Sequence, residues 1–201
     1  MSNYFSLVIG LTGSIGSGKT LIAKVFKHLG VPVYLSDQEA KKLYLRDNVI
    51  AQIKDMFSQE VMTDGQVNKR KLAELVFKDK KQLNKLNNCI HPLVKQDFEQ
   101  WVGKQRAPYV IMESAIIYEA GWDAMFDKII SVSTPMNLML ERVQVRDNQT
   151  KEQVMRRIAN QIPPEEKNNQ SDYVIINDNN QLVIPQIIKV HRNLLSIAET
   201  I

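Results

Sequence analysis

One junction constrains this chain more than any other stretch: the apolar run Leu7–Thr12 passes straight into Gly13-Ser14-Ile15-Gly16-Ser17-Gly18-Lys19-Thr20. The spacing G-x-x-x-x-G-K-[ST] is the Walker A phosphate-binding loop, set here between a strand and a helix opening at Lys19. Its glycines let backbone N–H groups approach an anion closely. The first turn of the helix adds N–H donors that lack intrahelical partners, together with the positive end of its dipole. Lys19 supplies a mobile charge for the β- and γ-phosphates and Thr20 a hydroxyl for Mg²⁺. A chance glycine-rich turn would not place Lys and Thr in register between the right elements. The segment Gly13–Thr20 is therefore a nucleoside triphosphate site.

The rest of the composition narrows the class. A chain of 201 residues with 44% hydrophobic and 24% charged residues is long enough for one good core with inserted lobes. The +4 net charge is spread along the chain, which suits phosphorylated small molecules and predicts no nucleic-acid partner. The single Cys89 excludes an internal disulfide, and three scattered histidines offer no zinc cluster. No secretory leader and no apolar run of ~18 residues is evident. A soluble, cytoplasmic enzyme is expected, as a monomer or weak homo-oligomer with no membrane partner.

Hydrophobic periodicity orders the remaining elements. Ile22, Ala23, Val25, Phe26 and Leu29 recur at helical spacing, Gly30 stops that helix, and Val31–Leu35 reads as a second strand. Ser36 and Glu39 stand at capping-box spacing at the start of the next helix. From there to about Lys104 the pattern is helical, with a turn at Thr63-Asp64-Gly65, a break at His91-Pro92 and no convincing strand. Tyr109–Glu113 reads as the third strand, apolar as a parallel strand covered on both faces should be, and Lys128–Val132 and Tyr173–Asn177 as the fourth and fifth. Two helices carrying Arg142 and Arg146, then Arg156 and Arg157, lie between the last two strands. Thr150 and Gln153 match a capping box for the second of them, and Gln161-Ile162-Pro163-Pro164 ends it. A final amphipathic helix covers Ile184–Ile197.

These features favour a small-molecule kinase over other users of the loop. A guanine-reading Asn-Lys-x-Asp segment is missing: neither Asn68-Lys69 nor Asn84-Lys85 has Asp in place. Glu113, closing an apolar run, has two readings, a contact to hydrated Mg²⁺ or a plain strand end. A helical insertion after the second strand would hold an acceptor. The arginine-bearing hairpin would close over the transferring phosphoryl group and exclude competing water.

At this point the residues resemble dephospho-CoA kinases. The likeness runs through Ile9–Lys19, Leu29–Val33, Val67-Asn68, Leu72–Phe77 and Leu86–Pro92, then Glu113–Gly121, where the family tends to read D-x-P-L-L-F-E-x-G. It continues at Arg142–Asp147, Arg157–Gln161, Glu166-Lys167 and Ser171–Asn177. The resemblance implies ATP-dependent phosphorylation of the ribose 3′-hydroxyl of dephospho-CoA, with ATP and Mg²⁺ as cofactors. It implies a P-loop α/β/α fold with a five-stranded parallel sheet. The core would be 1–36, 106–141 and 168–201, with a helical acceptor domain over 37–105 and a lid over 142–167.

Site expectations follow from residues and resemblance together. Asp37, just past the C-terminal edge of the second strand, is the candidate base for the acceptor hydroxyl. It matches the second Asp of the family's D-A-D motif, although an acidic residue there also suits a helix N-terminus. Lys19 and Arg146 are expected to act on the phosphates, with Arg142 on the same helix face and Arg157 at another lid position. Asn177 and Asp178 follow the last strand, where adenine would lie, with side-chain and backbone contacts both open. His91, Ile116 and Glu119 are expected at the acceptor, His91 having a helix-breaking role as its alternative. Three positions depart from the family: Leu35 stands for the first Asp of D-A-D, Ala115 for a Pro and Ser14 for a Gly.

Overall fold

The computed structural model describes residues 6–76 and 79–200, so Phe77, at the end of one stretch of the resemblance, lies outside the described residues. The chain divides into two compact units, one built from the segments before Ser36 and after Gly103, the other Ser36–Gly103.

The first unit opens with β1 (Leu7–Thr12), α1 (Lys19–His28) and β2 (Val33–Leu35). Along β1 the side chains alternate. Leu7, Ile9 and Leu11 enter a core shared with Ile22, Ala23 and Phe26 of α1. Ile22 and Phe26 are fully buried, each contributing about 1.5–3 kcal/mol relative to exposure. Helix α1 ends in a Schellman arrangement: Gly30 N–H donates to Lys27 O at 3.0 Å and Val31 N–H to Phe26 O at 3.1 Å. That turn redirects the chain into β2, as Gly30 predicts.

The second unit holds α2 (Ser36–Leu43), α3 (Asp47–Phe57), β3 (Met62–Thr63), β4 (Gln66–Val67), α4 (Lys69–Val76) and α5 (Lys80–Val102). Three sequence expectations are corrected here. The helical stretch contains a small antiparallel hairpin, Met62 opposite Val67. Its Asp64-Gly65 turn has positive φ at both positions, 50° and 76°, the geometry that closes a two-residue hairpin. Strands of two residues have no periodicity to read, which is why only the turn was visible. The expected capping box at Ser36 does not form, because the helix begins at Ser36 itself and Glu39 pairs with Lys42 at 2.8 Å.

The third correction concerns His91-Pro92. Helix α5 runs through Pro92 without ending. An interior proline removes a helix hydrogen bond and costs about 3 kcal/mol. Leu86, Ile90, Val94 and Phe98, four residues apart on one face, are all buried and offset that cost. Pro92 itself is exposed. Replacing it, Pro92→Ala, is expected to raise unfolding stability by about 1–2 kcal/mol, the regained helix bond less the added freedom of the unfolded chain. Urea denaturation at constant m checks this, and a loss of stability would contradict it.

The chain returns to the first unit with β5 (Tyr109–Glu113), β6 (Lys128–Ser133), α6 (Met136–Asp147), α7 (Lys151–Ala159), α8 (Pro164–Gln170), β7 (Tyr173–Ile176) and α9 (Val183–Ala198). The five strands form one parallel sheet in the order β2-β5-β1-β6-β7. This is the expected α/β P-loop architecture. Helices α1 and α9 contribute to the core that takes Tyr109 and Ile111 of β5. On the opposite side of β1, a Cβ on Gly10 would press on Ile117 and Phe126, so the segment after β5 covers that face. Leu35, the departure from the family's Asp, packs against the α1–α9 core and stands in register with Glu113. Beyond Gln161–Pro163, where the end of α7 is expected, the chain forms the further helix α8. Its Pro164 opens the helix, where a missing N–H carries no penalty. Among the described residues no helix is long and apolar enough to cross a membrane.

Candidate nucleotide site

The loop between β1 and α1 is folded around its own lysine. Lys19 is 7% exposed, and its Nζ donates to Gly13 O at 2.8 Å and Ser14 O at 3.1 Å. Gly18 takes a left-handed conformation at the helix start, and Leu21 and Ile22 N–H donate to its carbonyl. Three buried hydroxyls, Thr12 Oγ1, Ser14 Oγ and Ser17 Oγ, have no hydrogen-bond partner. A buried polar group without a partner is costly, so this concentration at one loop marks a surface shaped for a polyanionic guest. Thr20 is exposed, with its hydroxyl open for a cation. Glu113 is buried at the end of β5, opposite Leu11. Glycines, buried lysine, orphaned hydroxyls and free Thr20 together fit a Mg²⁺–nucleotide.

The loop is braced from the last strand. Ser17 O accepts from Asn177 Nδ2 at 2.8 Å and from Thr134 Oγ1 at 2.9 Å. Asn177 is 7% exposed and its backbone N–H donates to Ser133 O. A Cβ on Gly18 would collide with Asn177 Nδ2, so only glycine admits this close approach. One N–H of the Asn177 amide thereby holds the loop through Ser17 O. Asp178 Oδ1 accepts from Asn180 and Gln181 N–H, and those bonds hold its carboxyl below the usual range.

Arg142 and Arg146 stand on α6, but the structure gives them different surroundings. Arg142 Nη2 donates to Asn179 Oδ1 at 2.7 Å, while its Nη1 is buried without a partner. It is a cationic donor prepared beside the loop. Arg146, half-exposed at 58%, makes a bidentate pair with Asp147 at 2.7 and 2.9 Å. Arg157 Nη1 reaches the same carboxylate at 2.7 Å across the turn between α6 and α7. Asp147 thus gathers both arginines, and bonding to Arg146 first and then Arg157 lowers its carboxyl to about 2. This organiser was missed in sequence, where Asp147 was only the neighbour of an arginine. The Thr150–Gln153 capping box forms as expected.

Beyond β5, Ile116 is half-buried, its N–H donating to Ser114 Oγ. Glu119, expected at an acceptor, is tied into the protein through one of its oxygens. Its Oε1 pairs with Lys167 Nζ at 2.7 Å and accepts from Ile162 N–H at 2.9 Å. Lys167 is wholly buried and also donates to Ala115 O at 2.6 Å. Burial pushes its amine below the ordinary range while Glu119 pulls the other way. Removing one partner of such a buried pair typically costs 3–5 kcal/mol. Glu119 therefore braces the segment leading into α8 through one oxygen, while its Oε2 is buried without a hydrogen-bond partner. The signal for it, Glu119 and Lys167 both within the resemblance, could not show that the two meet.

A cavity of about 620 Å³ opens near the C-terminal ends of β6 and β7, lined by Thr134, Met136, Pro163, Asn168, Ile176 and Asp178 among others. In the second unit, Asp37 is exposed in the first turn of α2, two residues after β2 ends. His91 sits half-buried within α5, and burial keeps its imidazole below the ordinary value, favouring the neutral ring. Among the described residues no cluster of three or more His, Cys, Asp and Glu side chains could hold a metal ion.

Comparison with known proteins agrees with this geometry. A family model described as dephospho-CoA kinase matches residues 7–182. A dephospho-CoA kinase of Bacteroides fragilis is 41% identical over 187 residues, covering 92% of this chain and 91% of its own length. A crystal structure from Thermus thermophilus superimposes with a TM-score of 0.82 at 29% identity, covering 95% and 97% of the two chains. A dephospho-CoA kinase structure from Campylobacter jejuni shares the fold, with a TM-score of 0.69 at 24% identity and coverage of 96% and 98%. With loop, sheet order and match running nearly end to end, the chain belongs to the dephospho-CoA kinase family.

Proposed function

We propose that this chain transfers the γ-phosphoryl group of ATP to the ribose 3′-hydroxyl of dephospho-CoA, giving CoA and ADP in the cytoplasm. The observation that carries the reading is a family match spanning residues 7–182, which takes in the loop, the helical unit and the arginine hairpin. In this reading the N–H groups of Gly13–Thr20 hold the triphosphate, and Lys19 exchanges its loop carbonyls for phosphate oxygens. Thr20 would hold Mg²⁺, which neutralises phosphate charge when bound. Arg142 Nη1 and Arg146 stabilise the charge spreading over the transferring group, and 142–167 acts as the lid.

Asp37 accepts the proton as the acceptor oxygen bonds to phosphorus and the bond to the β-phosphate oxygen breaks, releasing ADP. The unit containing His91 and the segment at Ile116 supply acceptor contacts. An assay of ADP formation with and without dephospho-CoA tests the proposal. ADP release should require the acceptor and yield a 3′-phosphorylated product. Equal release without it, or turnover with simple nucleosides alone, would overturn the reading.

A further inference from the structure

Residue Ile15 of the phosphate loop is held twice, by the small core between α6 and α7 and by Gln161 just beyond α7. Its side chain packs into the small core of Val143, Val154 and Ile158, with Leu140 alongside, between α6 and α7. Its backbone N–H donates to Gln161 Oε1 at 3.0 Å. The next loop residue, Gly16, meets α6 directly: a Cβ there would fall 2.6 Å from Met139 O and 2.8 Å from Val143 Cγ2. The loop is therefore in contact with the arginine-bearing helices through two successive residues.

Gln161 stands at the joint between that hairpin and a fixed anchor. On one side its N–H closes the end of α7 on Ile158 O at 2.9 Å. On the other, the very next residue is tied down by Ile162 N–H to Glu119, and Glu119 is paired with buried Lys167. Gln161 Nε2 itself points toward Ala115 O, the carbonyl that Lys167 also binds. With its amide oxygen on Ile15 N–H and its amide nitrogen 3.5 Å from Ala115 O, the side chain cannot follow the hairpin freely. It converts the position of the α7–α8 joint into the shape of the loop at Ile15.

We propose that Gln161 is a positioning residue for nucleotide binding and phosphoryl transfer, acting through the Ile15 N–H rather than on the substrate. Free of this acceptor, the loop's N-terminal arch would sample more conformations, and ordering it would be charged against ATP binding. The inference deepens the kinase reading, on which only its turnover arm rests.

Gln161→Met keeps the side chain's length and removes the acceptor, while Gln161→Asn keeps the amide but falls short of Ile15. Both variants should weaken ATP binding about fivefold by calorimetry without acceptor, the scale of one net hydrogen bond. Turnover should fall about tenfold with the KM for dephospho-CoA unchanged within about twofold, because the contact lies on the donor side. A merely structural role would lower the active fraction and leave ATP affinity in the folded protein untouched. ATP affinity within twofold of the parent in both variants overturns the proposal, as does an acceptor KM that shifts as far as ATP affinity does. If the Met variant fails to fold, the Asn variant decides alone. Should the parent prove inactive on dephospho-CoA, calorimetry still reads the loop.

Discussion

Lys19→Met is expected to lower kcat by about 10²–10³-fold, the loss typical when one preorganised donor to transition-state charge is removed. The physical case rests on where the ammonium is kept. It is 7% exposed and held within the loop by Gly13 and Ser14 carbonyls, at the cost of desolvation. Those carbonyls are weaker partners than phosphate oxygens, so a bound triphosphate draws the charge forward without first stripping water from it. Methionine fills much the same volume and carries no charge. It leaves two loop carbonyls without their donor, so ATP affinity should fall as well. Single-turnover measurement at saturating ATP separates the chemical step from binding. A chemical rate within tenfold of the parent would remove Lys19 from the catalytic account.

Asp37→Asn tests the other end of the reaction. Asn preserves size and the short polar side chain in the first turn of α2, so stability should change by less than about 1 kcal/mol, the value of a charge at a helix N-terminus. Proton acceptance is lost entirely. A general base contributes about 10²–10⁴-fold, and turnover should fall within that range while calorimetric ATP affinity stays within about twofold. Phosphoryl transfer through a loose transition state leans on positioning, so a loss near the lower bound would mean that Asp37 orients the hydroxyl more than it deprotonates it. Near-parental turnover would return Asp37 to the bland role of an acidic residue favouring a helix start. Its exposure and its place two residues beyond β2 suit the catalytic role.

The elements legible in the sequence share a property: their causes are local. The loop from Gly13 to Thr20 is a fixed spacing. Gly30 stops α1 through bonds to residues three to five positions back, and Thr150 with Gln153 caps α7 within one turn. The five parallel strands announced themselves as apolar runs. What escaped notice was either too short or stabilised from far away. Two-residue strands around Asp64-Gly65 carry no periodicity. The proline in α5 is a valid local stop signal, overruled by the buried face of Leu86, Ile90, Val94 and Phe98. Propensity lost there to packing.

The candidate site divides along the same line. Sequence alone determined that a phosphate loop exists, which residues form it, and that Arg142, Arg146 and Arg157 belong to one helical hairpin. It also carried the family resemblance that the match over residues 7–182 bears out. Only the tertiary structure decided what holds the loop in shape. Asn177 reaches Ser17 across 160 residues of chain, Gln161 reaches Ile15 across 146, and Lys167 reaches Ala115 across 52. It also paired Glu119 with the buried Lys167, a partner 48 positions away in the sequence. The reason is physical. A phosphate loop leaves N–H groups and hydroxyls unsatisfied so that a ligand can take them, so other parts of the fold must hold its backbone. Those parts are chosen by proximity in space, for which a linear sequence has no coordinate.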